Sequence, residues 1–250
     1  MCCRTRTRIR AILCLVKRML VISLAVLVLP ALAATAGAAA PSFQHSIRPL
    51  SAHEQAQLEA AHVWHSGCPV SLSQLRLLSV SAVGFDGRGY VGQLVVNEDV
   101  ARPLVSVFRQ LYALRFPIRH MSFAQVYGPA RYQPKDNDVS GSFECRDAVP
   151  SPCTGGKSTG TWSNHAYGHA IDLNPLENPY VGCGMTHDPA GRKYLDRSHL
   201  RKGMVTPAVL AAFRSIGWGW GGSWSGSTKD YMHFSINGGF GKRLRSATER

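Results

Sequence analysis

The sequence predicts an α+β fold, a small and mainly antiparallel sheet flanked by helices. Three observations carry that expectation. Two apolar, β-branched runs, Leu75 to Val83 and Tyr90 to Val96, are separated by Gly84, Asp86, Gly87 and Gly89, the pattern of a hairpin. Behind them Val100, Leu104, Val107, Phe108 and Leu111 recur at helical spacing. Further on, two short segments, Ala170 to Asn174 and Met232 to Ile236, alternate in the way of half-buried strands.

The elements follow in chain order. Arg4, Arg6, Arg8, Arg10, Lys17 and Arg18 precede an apolar run from Met19 to Leu32 and then small residues through Ala40, the order of a secretory signal peptide with several A-x-A cleavage sites. The apolar run falls short of the roughly 20 residues that a spanning helix needs. Residues 41–52 read as an exposed leading segment and Glu54 to Trp64 as a helix, so 41–74 form an N-terminal extension ahead of the main domain at 75–240. Asn97 and Asp99 are placed to cap the helix that ends before Pro117. Met121 to Tyr127 reads as a strand, and Gly128 to Asn164 as a loop too long to be a simple connection. A helix is expected from Thr206 to about Ile216, and 241–250 form a basic tail.

The 250 residues can bury one core. Their formal charge is +13, and loss of residues 1–40 removes six basic and no acidic side chains, leaving +7. In an exported protein that balance favours anionic surfaces such as the acidic polymers of a bacterial envelope. The basic residues are scattered, with no long Lys/Arg run, which argues against nucleic acid as partner. Of seven cysteines, Cys68, Cys145, Cys153 and Cys183 lie beyond the signal segment. An even number in an oxidising compartment suggests two disulfides. The short loop closed by Cys145 and Cys153, with Pro150 and Pro152 inside it, favours that pair and leaves Cys68 with Cys183.

The strongest chemical signal is the segment from Ser163 to Asn174. If Ile171 and Leu173 face the core, Asp172 faces the open side. His165 lies seven positions earlier, across a turn containing Gly168, close enough to share an ion with that carboxylate. Met232, Phe234 and Ile236 would form a core face, which turns His233 toward the side of Asp172 if the strands are neighbours. Two imidazoles and one carboxylate suit Zn²⁺ and leave a fourth position for water, so the expectation is zinc in an open cleft. Asp230, three residues before His233, is expected in the turn entering the strand, as the general base for that water. Arg146, in the long loop, is the candidate to steady a developing oxyanion. His169 reads as a supporting or surface residue, and the remaining histidines as surface groups. Trp218, Trp220 and Trp224 stand among glycines, where aromatic side chains more often pack against close backbone than line a cleft.

Ser163, His165, Gly168, Ala170 and Asp172 match an S-x-H-x-x-G-x-A-x-D pattern, and Asp230-Tyr231-Met232-His233-Phe234 looks like a second motif. In these the chain resembles the M15 family of zinc D-alanyl-D-alanine peptidases. Phe116-Pro117-Ile118, Phe143 to Arg146, Asn174 to Tyr180 and Gly217 to Gly222 also resemble the carboxypeptidase-like branch, so the likeness runs roughly from Leu75 to Ile236. The resemblance implies the fold that M15 peptidases share with hedgehog-like domains, with 75–240 as the catalytic domain. It also implies hydrolysis of peptidoglycan stem peptides, with zinc on His165, Asp172 and His233. Carboxypeptidases of the family carry Glu three residues before the last histidine, whereas Asp230 resembles the L-alanyl-D-glutamate endopeptidases.

Other mechanisms fail on spacing. None of the seven lysines has Ser three positions before it, which excludes an S-x-x-K serine peptidase. His53-Glu54 is followed by Gln57 where a zincin helix needs His. Gly222 to Gly226 has Trp224 where a nucleophile elbow needs Ser.

Overall fold

A computed structural model describes residues 42–148, 160–186 and 188–236. The expected signal segment, Cys153 and the basic tail lie outside them. No helix among the described residues is long and apolar enough to cross a membrane.

The architecture is α+β, built on small antiparallel sheets. Strand β1 (His45–Pro49) lies at the edge of a three-stranded sheet in the order β1-β2-β3, with β2 at Leu75–Val83 and β3 at Gly89–Asn97. The β2–β3 hairpin therefore stands where the Gly-rich break predicts it, Val83 opposite Gly89. A second three-stranded sheet runs β4-β8-β6, from Ala170–Asp172, His233–Ser235 and Gly219–Trp220. A two-stranded ladder pairs β5 (Tyr180–Val181) with β7 (Lys229–Asp230).

Helix α1 (Ala52–Ala60) starts in a capping box made by Ser51 and Glu54. Helix α2 (Glu98–Ala113) starts at Asn97, whose side chain accepts from the Asp99 N–H. Helix α4 (Pro207–Arg214) starts at Thr206. Two readings need correction. Residues 41–52 hold β1 rather than only a leading segment, because backbone pairing with β2 from His45↔Val80 to Pro49↔Arg76 supplies the partners that its exposed side chains do not advertise. Met121 to Tyr127 is not a strand: Phe123–Tyr127 form helix α3, launched by a capping box between Ser122 and Gln125.

Both faces of the first sheet are covered. Leu78, Val80, Leu94 and Val96 join Leu104 and Phe108 of α2, Phe213 of α4 and Ile171, Leu173 and Phe234 in one core. Phe213 and Phe234 stack at 3.8 Å. Leu75, Leu77 and Val95 turn the other way, against Leu58, Phe123, Tyr127 and Phe143. Each such side chain contributes about 1.5–3 kcal/mol relative to exposure.

Cys68 is bonded to Cys145, their Cα atoms 5.8 Å apart. This overturns both expected pairings, since each included one of these two cysteines. The reason is spatial: Cys145 N–H donates to the Val63 carbonyl, which draws the long loop onto the segment after α1. Cys183 is disulfide-bonded as well.

A buried ion cluster frames the segment after β4. Arg119 donates to Asp138 and to Glu177, both at 2.6 Å, and stacks 3.9 Å over the ring of Phe85. One cation faces two fully buried carboxylates. Burial, with Asp138 adding to it, pushes the Glu177 carboxyl up to about 7.

Candidate metal centre

The first donor sits in a tight turn. Residues Asn164–Tyr167 form a single 3-10 turn that Ser163 caps, and Gly168 closes it at φ 69°. A side chain at Gly168 would meet the backbone N of Asn97 at 2.6 Å, so only glycine permits this approach. The contact is used: Asn97 N–H donates to the Gly168 carbonyl, and the Asn97 amide donates to the Tyr167 carbonyl at 3.0 Å. His169, next in line, bonds Asp99 at 2.9 Å and takes no part in the donor cluster. The loop that carries His165 is thereby tied to the start of α2.

His165 is buried, and its Nδ1 lies 2.6 Å from the Ser142 carbonyl. A carbonyl can only accept, so Nδ1 carries the proton and Nε2 presents its lone pair to the cleft. Asp172 and His233 are register partners in the β4–β8 ladder. Ile171 and Phe234 beside them are fully buried, so strand alternation turns the carboxylate and the imidazole to the same open side. The anticipated apolar face of the last strand is shorter than expected. Only His233–Ser235 is strand, so Met232 lines the cleft and Ile236 is exposed.

The three donors converge. Asp172 Oδ1 lies 3.1 Å from His233 Nδ1, His165 Nε2 lies 3.2 Å from the same nitrogen, and Asp172 Oδ2 lies 3.3 Å from His165 Nε2. Ligands arranged tetrahedrally at about 2.0–2.1 Å from an ion stand about 3.3 Å from one another. The spacing thus fits a divalent cation bound by two nitrogens and an oxygen. Burial disfavours a charge on His165, but Asp172 outweighs it and raises that pKa. The Asp172 carboxyl is in turn held well below its usual range, against its own burial, by His165 and His233.

Asp230 lies in the same cavity, of about 390 Å³, with Arg146, Trp162, Tyr180 and Trp224. It belongs to β7, opposite Tyr180, rather than to an unpaired turn. Gly221 packs against it so closely that a Cβ would sit 2.5 Å from the Asp230 carbonyl oxygen and 2.8 Å from its Cβ. Among the described residues neither the buried Asp230 Oδ1 nor the Tyr180 hydroxyl has a hydrogen-bond partner. Burial, reinforced by the Asp172 carboxylate, pushes the Asp230 carboxyl up to about 8. An orphaned carboxylate oxygen beside a donor triad is a place for a water or a substrate group.

Arg146 reaches this cavity from the long loop. Its Nε donates to Glu144 Oε2 at 2.7 Å. The strand-like strap that carries it is fixed on several sides: Phe143 N–H donates to Val95, Glu144 N–H to His165, and Ser163 N–H to Arg146, each to the carbonyl. The tryptophans divide between the two expected roles. Trp218 is core, Trp220 packs against the core, and Trp224 lines the cleft with its ring 5.8 Å from that of His233. Tyr180 and Trp162 were not among the sequence candidates. Tyr180 ends the Asn174 to Tyr180 segment, but only the β5–β7 ladder reveals that it stands opposite Asp230.

Residues 156–236 match the family model described as D-alanyl-D-alanine carboxypeptidase, in the M15 peptidases. Over these residues the chain is similar to the M15 peptidases. The matched segment contains His165, Asp172, Asp230 and His233, whereas Arg146 and the strap precede it. Neither a curated protein nor a solved structure matches the chain.

Proposed function

We propose that the protein is an exported zinc peptidase that hydrolyses a peptide bond in bacterial peptidoglycan stem peptides. The observation that carries this reading is the donor triad at 3.1–3.3 Å with the buried Asp230 Oδ1, unpartnered among the described residues, in the same cavity. His165, Asp172 and His233 would hold Zn²⁺. When bound, zinc supplies Lewis acidity, which polarises the scissile carbonyl and acidifies water.

The chain's own groups do the rest. Asp230 takes a proton from the attacking water and later delivers it to the leaving amine nitrogen, so that water and amide become a carboxylic acid and an amine. Burial suits it to both roles, because a carboxyl raised toward neutrality can take and return a proton, while a cation at the triad opposes that rise. Arg146 places its charge near the carbonyl oxygen as negative charge develops there. Ser142 fixes the His165 tautomer through its carbonyl, and Trp224 and Tyr180 form the wall against which the peptide lies.

The bond cut is that of a D-alanyl-D-alanine carboxypeptidase in the first reading. One observation favours the second, an L-alanyl-D-glutamate endopeptidase. A further cavity of about 330 Å³ shares His165 and Asp172 with the first and no other residue, so space for substrate extends to both sides of the donor cluster. Mass spectrometry of muropeptides after digestion of purified peptidoglycan, with and without a chelator, tests the function. Loss of a terminal alanine supports the first bond, release of the stem beyond L-alanine supports the second, and unchanged fragments leave only a wall-binding module.

A further inference from the structure

On another face of the fold, β1 and α2 enclose a groove of about 360 Å³ lined by His45, Ser46, Ile47, Arg102, Val105, Ser106 and Arg109. None of these residues belongs to either cavity at the donor cluster. Its floor is apolar, Ile47 half-buried and Val105 buried, and its rim carries two guanidinium groups with no carboxylate in the lining. Arg102, Ser106 and Arg109 stand at positions i, i+4 and i+7 of α2 and are all exposed, so they form one stripe along the helix.

Among the described residues no carboxylate neutralises the charge on this rim, and no ion pair involves Arg102 or Arg109. The two acidic residues at the start of the same helix are engaged elsewhere, Glu98 with Arg76 and Asp99 with His169. Arg109 is held in place instead by the ring of Phe43, 4.7 Å from its guanidinium carbon, and Phe43 stacks on His45. A guanidinium fixed on an aromatic face keeps its N–H fork free for an anion. Seven residues of helix span about 10 Å, a separation that suits repeated charges on one chain better than a single small ion.

We infer that this groove binds a phosphate-bearing polyanion and holds the enzyme on an anionic polymer of the cell wall. The choice of polymer rests on the wall-directed reading above, whereas binding to phosphate does not. Arginine is matched to phosphate by geometry as well as charge, and attraction to a chain of phosphates falls steeply with salt.

The test uses the full mature chain, with sodium polyphosphate as probe, in parallel with inorganic phosphate, duplex DNA and phosphatidylglycerol vesicles. Polyphosphate is expected to bind in a salt-dependent manner, and Arg102→Glu/Arg109→Glu to weaken it on the order of tenfold or more. Arg102→Gln/Arg109→Gln should give a smaller loss, and both variants should hydrolyse soluble muropeptides like the parent. Retention on peptidoglycan carrying its phosphodiester polymers should fall in the variants, with no change on peptidoglycan stripped of them. Equal polyphosphate affinity in parent and variants overturns the proposal, as does tighter binding to DNA or vesicles that the variants abolish. If no muropeptide is cut while the binding loss appears, the groove stands and the hydrolase reading fails.

Discussion

Asp172 and His233 face each other across the β4–β8 ladder, Oδ1 3.1 Å from Nδ1, although 61 positions separate them in the chain. That register alone sets two of the three donors. Substituting His233→Ala should therefore abolish stoichiometric zinc binding, measured by dialysis and elemental analysis, while leaving the fold detectable by circular dichroism. In the parent, zinc at about 100 times its dissociation constant should stabilise the fold by about 2.7 kcal/mol, and in the variant by nothing measurable.

In the proposed mechanism Asp230 transfers a proton and does not hold the ion. Asp230→Asn should keep the zinc content of the parent and lower the turnover of muropeptides by about 10²–10⁴-fold. Full activity in that variant would remove the proposed base.

Gly221 leaves no room for a Cβ beside Asp230. Gly221→Ala should displace β7, costing about 1–3 kcal/mol in overpacking and lowering turnover with zinc retained. Parental kcat in this variant would show that the position of Asp230 is not critical.

Glu177 predicts a pH dependence. Its folded pKa, about 7, lies above its ordinary 4.5, so the folded state binds the extra proton. The sign follows: this group contributes stability as the pH falls from about 7 toward 4.5 and withdraws it as the pH rises through that window. Urea denaturation across the window should give a difference between the parent and Glu177→Gln that drifts in the parent's favour at the acid end. A difference independent of pH would count against the buried, proton-binding carboxyl.

The Cys68–Cys145 bond closes a loop of 77 positions. On the chain-entropy account its removal in Cys68→Ser/Cys145→Ser should cost about 4.5 kcal/mol. Thermal unfolding of parent and variant measures this loss. An unchanged melting temperature would mean that the backbone contacts of the strap hold it without the cross-link.

What was legible in the sequence was what alternation and capping encode. The hairpin at Leu75–Val83 and Gly89–Asn97, the helix after Asn97 and the outward turn of Asp172 and His233 all follow from period and punctuation. The short helix at Phe123–Tyr127 was hidden by residues suited to strands, although Ser122 and Gln125 spelled its capping box. Strand β1 was hidden because an edge strand with exposed side chains, ending in Pro49, carries little apolar signal. The cysteine pairing and the role of Tyr180 depend on which distant segments lie side by side, and local pattern does not carry that information.

Arg131 and Lys135 lie exposed between the two cysteines of the described bond. A trypsin cut after either one would divide the polypeptide into two pieces, one ending near the cut and the other beginning there. The pieces would still travel as a single species on a non-reducing gel, and only a thiol added to the sample would set the fragment holding Arg146 free from the fragment holding Cys68.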